Sequence, residues 1–510
     1  MCVLKGIPVL LDPIWRPNFA INLAIRLFVR VCRNGDSVMS ITRRLRLSGV
    51  ILFGLASGCA HFVPRPLSPE RSIAAFRARS LQDPHLRAFL AANHVLPPGP
   101  EDRWGLRVLT LAAIYYQPAL AEARARLLAA QAAQITAAER PNPSLAMGPG
   151  YDRGVPGVPS PWIVPIALDW PVETAGRRGD RMALAFHQAA ALRWDLIGTV
   201  WRVRSRLRVA LLSLYAAARS ERLLARETAA LERSVALLQG QFSAGSVSSY
   251  EVTQARIALD NAFLARQAAA GQVRQARIEL AGALGVSPRA LSGVKLSFAE
   301  LETFPRELTR PQIRRQALID RADVRSALEQ YAASQSALQL QIACQWPDVE
   351  LGPGFTWNGQ LARDSEWQLG LLLTLPLLNH NQGPIAEARA QRRLAAAHFI
   401  SVQAAAINGI DAALAAYRSS LRQLATADSL QRALKRRVRA VRSRVAAGES
   451  QPLDLSDAEV AFDTGARAAL HAQVEAQQAL GRLEDAVQSP LTLAASTVRA
   501  AQNTTSRVDE

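Results

Sequence analysis

A large tandem duplication constrains this chain more than any single motif. NPSLAMGPGY at 142–151 returns as WPDVELGPGF at 346–355, and WIVPIALDWP at 162–171 returns as WQLGLLLTLP at 367–376. AGSVSSYEVTQA at 244–255 returns as AGESQPLDLSDA at 447–458, and QPAL at 117–120 corresponds to RADV at 321–324. Four landmarks in the same order, each displaced by about 204 residues, mark two copies of one supersecondary unit. The chain divides into a leading segment 1–58, an N-terminal segment 59–104, a first repeat 105–285, a linker 286–310, a second repeat 311–488 and a tail 489–510.

Each repeat reads as helix, strand, strand, long helix, turn, helix. The first helix is expected over 108–139 and 312–344. It is Ala-rich and stopped by Pro141 and Pro143, or by Pro347, which lack donors and disfavour helix in the residue before them. The next strand carries Leu145, Met147 and Tyr151, or Val349, Leu351, Phe355 and Trp357, on one face. Its other face is small and polar, with Ala146, Gly148 and Gly150, or Glu350, Gly352 and Gly354. A short loop rich in Gly, Pro and Ser leads to a Trp-headed strand, giving two hairpins.

Along 162–171, Trp162, Val164, Ile166, Leu168 and Trp170 share a face, as do Trp367, Leu369, Leu371, Leu373 and Leu375 along 367–376. Either stretch alone would suit a buried strand of a water-soluble sheet. An apolar face about ten residues long, headed by tryptophan, is equally the pattern of a strand crossing a bilayer at a tilt. No proline interrupts 173–243 or 385–446, and each run makes a helix roughly 100 Å long, which no compact domain can hold. Gly245 and Gly448 end these runs. Ser248, with Glu251 three residues on, is expected to cap a returning helix of about 35 residues.

Apolar residues make up 49% of the chain but aromatic ones only 6%, which favours long helices over compact mixed domains. The formal charge of +18 points first to nucleic acid. Yet the leading 58 residues hold eight basic against two acidic side chains, and the remaining arginines are spread along helices without interleaved aromatics, so no nucleic-acid partner is expected. The early charge belongs to an export signal: Arg43, Arg44 and Arg46 precede the apolar run 50–55, and small residues lead to Cys59. This end resembles the bacterial lipobox, which implies lipidation of Cys59 as the first residue of the mature chain. Ala56 departs from the usual Leu, and cleavage as an ordinary signal peptide is the alternative. Ala60, in place of Asp, implies sorting to the outer membrane, and residues 1–38 read as an upstream extension. Cys344 alone then remains a free thiol, leaving no disulfide framework and no paired-cysteine metal site. Beyond the signal there is no run of 18 apolar residues, so no membrane-spanning helix is expected and any crossing must be by strands.

Strands cross a bilayer only as closed barrels, because every backbone donor and acceptor there needs a partner. Four strands cannot close one, since about eight is the smallest number that does. The chain must assemble with copies of itself.

The duplicated plan, PNPSL at 141–145, PVETAGRRGDR at 171–181, LPLLNHNQGPIAEA at 375–388 and the two Ala-Gly turns resemble the TolC-type outer-membrane efflux proteins over nearly the whole mature chain. The corners AGRRG at 175–179 and NHNQG at 379–383 are similar to those of the cation-efflux (CzcC-like) branch, with His380 in place of its usual Arg. The resemblance implies a mainly α fold with a small transmembrane β part. Four strands per chain would contribute to a trimeric 12-stranded β-barrel standing on a long α-helical periplasmic barrel.

It also implies a passive homotrimeric duct in the Gram-negative outer membrane, joined through a periplasmic adaptor protein to an inner-membrane pump. The exported substrate would be heavy-metal cations or, in other branches, drugs and organic solutes. Trp162, Val164, Ile166, Leu168, Trp170, Trp367, Leu369, Leu371 and Leu373 would face outer-membrane lipid. The turns facing adaptor and pump would be Gly245, Ser246, Val247 and Ser248, with Gly448, Glu449 and Ser450. Asp454 and Asp457 stand where the family places the acids of its periplasmic aperture gate. Three apart, they share a helix face, and a ring of them would favour cations. The helix dipole alone would also place an acid at Asp454.

No catalytic, cofactor or metal site is expected, and the chain does not read as an enzyme. The seven histidines are scattered without zinc-protease spacing, and Gly-Pro-Gly at 148 and 352 lacks the helix start that a nucleotide fingerprint needs. A reading from another class is a lipid-anchored periplasmic coiled-coil scaffold with the hairpins as an ordinary β-domain. Such a scaffold would dissolve once Cys59 is replaced, whereas a duct would still need detergent.

Overall fold

The computed structural model describes residues 61–99, 101–151, 160–305, 319–359 and 365–491. Cys59, the export signal, the tail beyond 491 and most of both hairpin loops lie outside the described residues. Two compact units are present, up to Pro69 and from Glu70 onward. Residues 61–67 of the first are irregular and exposed; the second holds everything below.

The elements run α1 (Pro69–Ala78), α2 (Pro84–Ala92), β1 (Arg103–Trp104), α3 (Leu106–Tyr116), α4 (Pro118–Ala138), β2 (Ser144–Met147), β3 (Gly150–Tyr151), β4 (Trp162–Val172), α5 (Arg177–Ser243), α6 (Ser249–Leu284) and β5 (Lys295–Leu296). The second repeat follows as α7 (Ala322–Ala343), β6 (Val349–Asn358), β7 (Ser365–Leu373), α8 (Gln382–Ala446) and α9 (Pro452–Val487). The expected helix-strand-strand-helix-helix plan therefore folds twice. Helices α5 and α8 have 67 and 65 residues, about 100 Å each at the helical rise. Gly245 and Gly448 end them in the left-handed region, φ 72° and 78°, where a side chain would be strained. The returning helices α6 and α9 are both 36 residues long. Ser248 and Glu251 form the expected reciprocal cap at the start of α6.

Helices α5 and α6 pack along each other, as do α8 and α9. Helix α5 also packs on α4, α7 and α9, whereas α8 packs on α7 and α9. The largest core lies at mid-length, where Leu207 and Leu211 of α5 and Leu280 and Leu284 of α6 meet Trp104 and Leu109 from the N-terminal segment. A smaller one joins Ile410, Leu414 and Tyr417 of α8 to Leu480 and Leu483 of α9.

Three expectations need correction. The first helix of the first repeat is broken at Gln117, because Pro118 has no N–H to continue α3 and instead opens α4 at a position where none is needed. Gln117 then turns inward and donates to the Gly282 and Ala283 carbonyls at the end of α6, at 2.8 and 2.7 Å. The first strand of hairpin one is split into β2 and β3 at Gly148-Pro149, which in register lies against Pro165 and Val164, so the donors missing at Pro149 and Pro165 fall at neighbouring levels of the ladder. Strand β7 stops at Leu373, short of Pro376, because its partner β6 begins at Val349, opposite Leu373. Helix α8 also contains an 18-residue window apolar enough by length and composition alone to cross a membrane, of which 22% is buried. The window is not an unbroken apolar run, since polar residues are scattered through it and are outweighed by Ala and Ile. The linker also holds more than a loop: β5 pairs in parallel with β1, Lys295 opposite Arg103.

Candidate functional site

The hairpin strands form one sheet in the order β2, β4, β6, β7, with β3 continuing β2 alongside β4. All neighbours are antiparallel, and their register aligns the faces that alternation defines. Leu145 lies opposite Leu168 and Met147 opposite Ile166. Ile166 in turn faces Phe355, and Trp170 faces Leu351; across β6, Phe355 faces Trp367 and Leu351 faces Leu371. One face of the sheet is thus apolar across every strand, and it carries Trp162, Val164, Ile166, Leu168, Trp170, Trp367, Leu369, Leu371 and Leu373 together. Trp367, Leu369 and Leu371 are 70%, 75% and 67% exposed, a cost in water that calls for an apolar cover. Cross-strand aromatic pairs, Tyr151 with Trp162 at 5.1 Å and Phe355 with Trp367 at 4.8 Å, occupy the same face.

The opposite face holds Ala146, Ala167, Asp169, Gly352, Gly354, Gln368 and Gly370, small or polar, with Ile163 and Leu372 among them. Among the described residues, the outer edges of β2 and β7 have no strand partner.

Sheet and helices meet at a corner whose role the sequence did not disclose. Arg177 at the start of α5 pairs with Asp348 at 2.5 Å and donates to the Ala343 and Trp346 carbonyls at the end of α7. Thr174 donates to the Pro347 carbonyl at 2.6 Å. Arg178 and Arg181 collect the Ala138, Ala137 and Glu139 carbonyls at the end of α4, and Glu173 holds Arg181 at 2.6 Å. The arginines of GRRGDR thus satisfy the carbonyls that a helix C-terminus leaves unpaired, and their charge suits that end of the dipole. In the second repeat Asn381, left-handed like Gly176, donates to the Gln341 carbonyl instead. Arg177→Ala is expected to cost about 1–3 kcal/mol through the freed carbonyls and unpaired Asp348, with Arg177→Lys recovering part of it. Thermal unfolding followed by circular dichroism reads this directly.

At the far end of the long helices the two turns come together, with Gln241 and Gln451 side chains 3.2 Å apart. Gly245, Ser246, Ser248, Gly448 and Glu449 are exposed there, and Val247 and Ser450 are half-buried. Asp454 accepts from the Gln451 N–H at 2.9 Å in a reciprocal cap, so its carboxylate has a local structural task. Asp457 lies one helical turn further on, and partial burial, reinforced by the Asp454 charge, raises its pKa. Glu459 bridges Arg233 of α5 at 2.5 Å and Arg442 of α8 at 2.9 Å. Burial likewise raises the Asp463 carboxyl, which Arg226 approaches to 3.6 Å. Among the described residues, no group of three or more His, Cys, Asp or Glu is placed to hold a metal ion.

Solved structures with the same architecture include outer-membrane proteins. VceC of Vibrio cholerae is 16% identical and matches with a TM-score of 0.61, over 75% of this chain and 95% of its own. The outer-membrane channel OprN is 19% identical with a TM-score of 0.61, over 86% and 99%. The CmeC outer membrane channel of Campylobacter jejuni is 16% identical with a TM-score of 0.57, over 86% and 96%. At these identities the likeness establishes the fold. Compared by sequence with curated proteins, the chain matches none. Residues 112–286 and 313–487, one stretch in each repeat, match the family described as outer membrane efflux protein. The chain belongs to the outer membrane efflux protein family, and it is an outer-membrane channel of the TolC type rather than an enzyme.

Proposed function

We propose that the chain is the outer-membrane duct of a tripartite efflux system: a passive homotrimer that receives heavy-metal cations from an inner-membrane pump through a periplasmic adaptor. The observation that carries the assembly is the sheet, apolar on one face, mostly small or polar on the other, and open at both edges among the described residues. Pairing the β7 edge of one copy with the β2 edge of the next would close it, and three copies supply about 12 strands, enough for a membrane barrel. The helices ask for the same closure. Helix α5 lies between α4 and α7, while α8, its duplicated counterpart, has α7 on one side and an apolar, exposed flank on the other. Helix α4 of a second copy fits that flank by the internal symmetry.

The cation reading rests on Asp454 and Asp457 at the tip, where three copies would bring six carboxylates into one constriction. Lipidation at Cys59 would add a second hold on the membrane. In planar bilayers, Asp454→Asn with Asp457→Asn is expected to remove most of the cation preference. The native preference should fade on acidification sooner than ordinary carboxylates would allow, because an acid with a raised pKa takes up its proton at a higher pH. Unaltered conductance and selectivity in the double variant would sink the cation gate. Export of drugs or organic solutes is the second reading: a deletion strain sensitized to those compounds and not to metals would select it.

A further inference from the structure

The interior between the two repeats holds a charged cluster that the channel reading does not use. Arg204 and Arg208 of α5 and Gln477 and Glu484 of α9 are 2%, 4%, 0% and 0% exposed. Arg204 donates to Glu484 at 2.9 Å, and Arg208 donates to both the backbone and the side-chain oxygen of Gln477 at 2.7 Å. Arg208 also approaches Glu484 to 3.6 Å. Gly481 makes the room: a Cβ there would stand 2.2 Å from the Arg208 guanidinium. That guanidinium is buried and held by two hydrogen bonds, so it cannot swing aside without losing them.

The duplicated helix α6 is built otherwise. Helices α6 and α9 have the same length and follow equivalent turns, so their residues correspond one to one. Gln477 corresponds to Arg274, Gly481 to Ile278 and Glu484 to Ala281. Set against α5, α6 would bring a third guanidinium beside Arg204 and Arg208, offer no carboxylate, and fill the space that Gly481 leaves open.

We propose that Arg204 and Arg208 with Gln477, Gly481 and Glu484 form an address that makes α5 close on α9 of its own chain and reject α6 of a second copy. Duplication creates the need. Where copies assemble side by side, two Ala-rich helices of equal length compete for one face of α5, and apolar packing alone discriminates weakly between them. Buried ion pairs add little net stability, but a wrong partner leaves buried charge uncompensated, which penalizes the wrong pairing. The oligomeric context rests on the duct reading; the pairing of α5 with α9 does not.

The test uses cysteine reporters in the full-length chain with Cys344→Ser. Gln241→Cys with Gln451→Cys on one chain reports α5 on its own α9, since these side chains meet at the tip. Gln241→Cys and Ser248→Cys on two differently tagged, co-expressed chains report α5 beside a foreign α6. With a short bifunctional thiol reagent, the native cluster is expected to give mostly own-chain product. The variant Arg204→Met/Arg208→Met/Glu484→Leu keeps the volume and removes the address, and the ratio of own-chain to foreign product should fall at least about fivefold. An unchanged ratio in this folded variant overturns the proposal.

If that variant does not fold, a steric cycle decides. Gly481→Ala should lower the own-chain product, and Arg208→Ala/Gly481→Ala should restore it, whereas an equal effect of Gly481→Ala in both backgrounds overturns the proposal. A native chain that light scattering finds monomeric in detergent would count against the duct and leave this cycle readable.

Discussion

Ile166→Arg is expected to leave almost no oligomer in the outer membrane, while Ala167→Arg, one residue along the same strand, assembles at near-native yield. Both positions lie mid-strand in β4 and differ in face alone. Ile166 stands among Met147 and Phe355 on the apolar face, and Ala167 among Ala146 and Gly354 on the small one. An arginine near the bilayer midplane costs about 2–4 kcal/mol, so three copies in one barrel would lose about 6–12 kcal/mol. The small face would line water, where arginine costs little and has room. The contrast repeats on β7 with Leu371 and Leu372, adjacent leucines on opposite faces and both well exposed in the single chain. The readout is the heat-resistant oligomer band in outer-membrane fractions. Equal yields from both members of each pair would mean that the apolar face does not meet lipid, and would favour the soluble scaffold.

Much of this was legible in the sequence because its signals are local and periodic. Alternation over ten residues fixes a strand face, Ala-rich runs free of proline fix a helix, and Gly245 and Gly448 fix its end. Duplication then lets each half check the other. Pro118 carried a local signal as well, but the Ala-rich pattern on either side masked the break at Gln117. The arginines of GRRGDR were visible as a motif, yet their role was not, since their partners are carbonyls, which every residue has. Asp454 shows the limit in another way: the same carboxylate that the family pattern assigns to the aperture also caps its own helix, and one sequence position cannot separate the two tasks. Least legible was the charged seam between α5 and α9. Its members are hundreds of residues apart, and in helices rich in arginine and glutamate nothing local distinguishes a buried pair from a solvated one.

That seam gives the second large effect. Glu484→Leu alone is expected to destabilize the chain by about 3–5 kcal/mol, the usual result of leaving buried charge without its partner. Burial already pulls the Arg208 pKa down, and the Glu484 carboxylate is the main charge holding it up. Without that carboxylate, Arg204 and Arg208 share only Asp485, itself held by Ser205, as a nearby acid, so buried positive charge is left in excess and is kept at a cost or draws water into the seam. Replacing all three charges with apolar residues of similar size removes the uncompensated guanidiniums along with the pair, and Asp485 keeps its hydrogen bond from Ser205 at 2.5 Å. The triple variant Arg204→Met/Arg208→Met/Glu484→Leu should therefore unfold close to the native temperature, well above the single variant, when helix loss is followed by circular dichroism. The order of the three melting points carries the argument. A single variant as stable as the native chain would mean that the seam is wetter than its burial implies. A triple variant no better than the single one would mean that the hydrogen bonds to Gln477, rather than the balance of charge, hold α5 against α9.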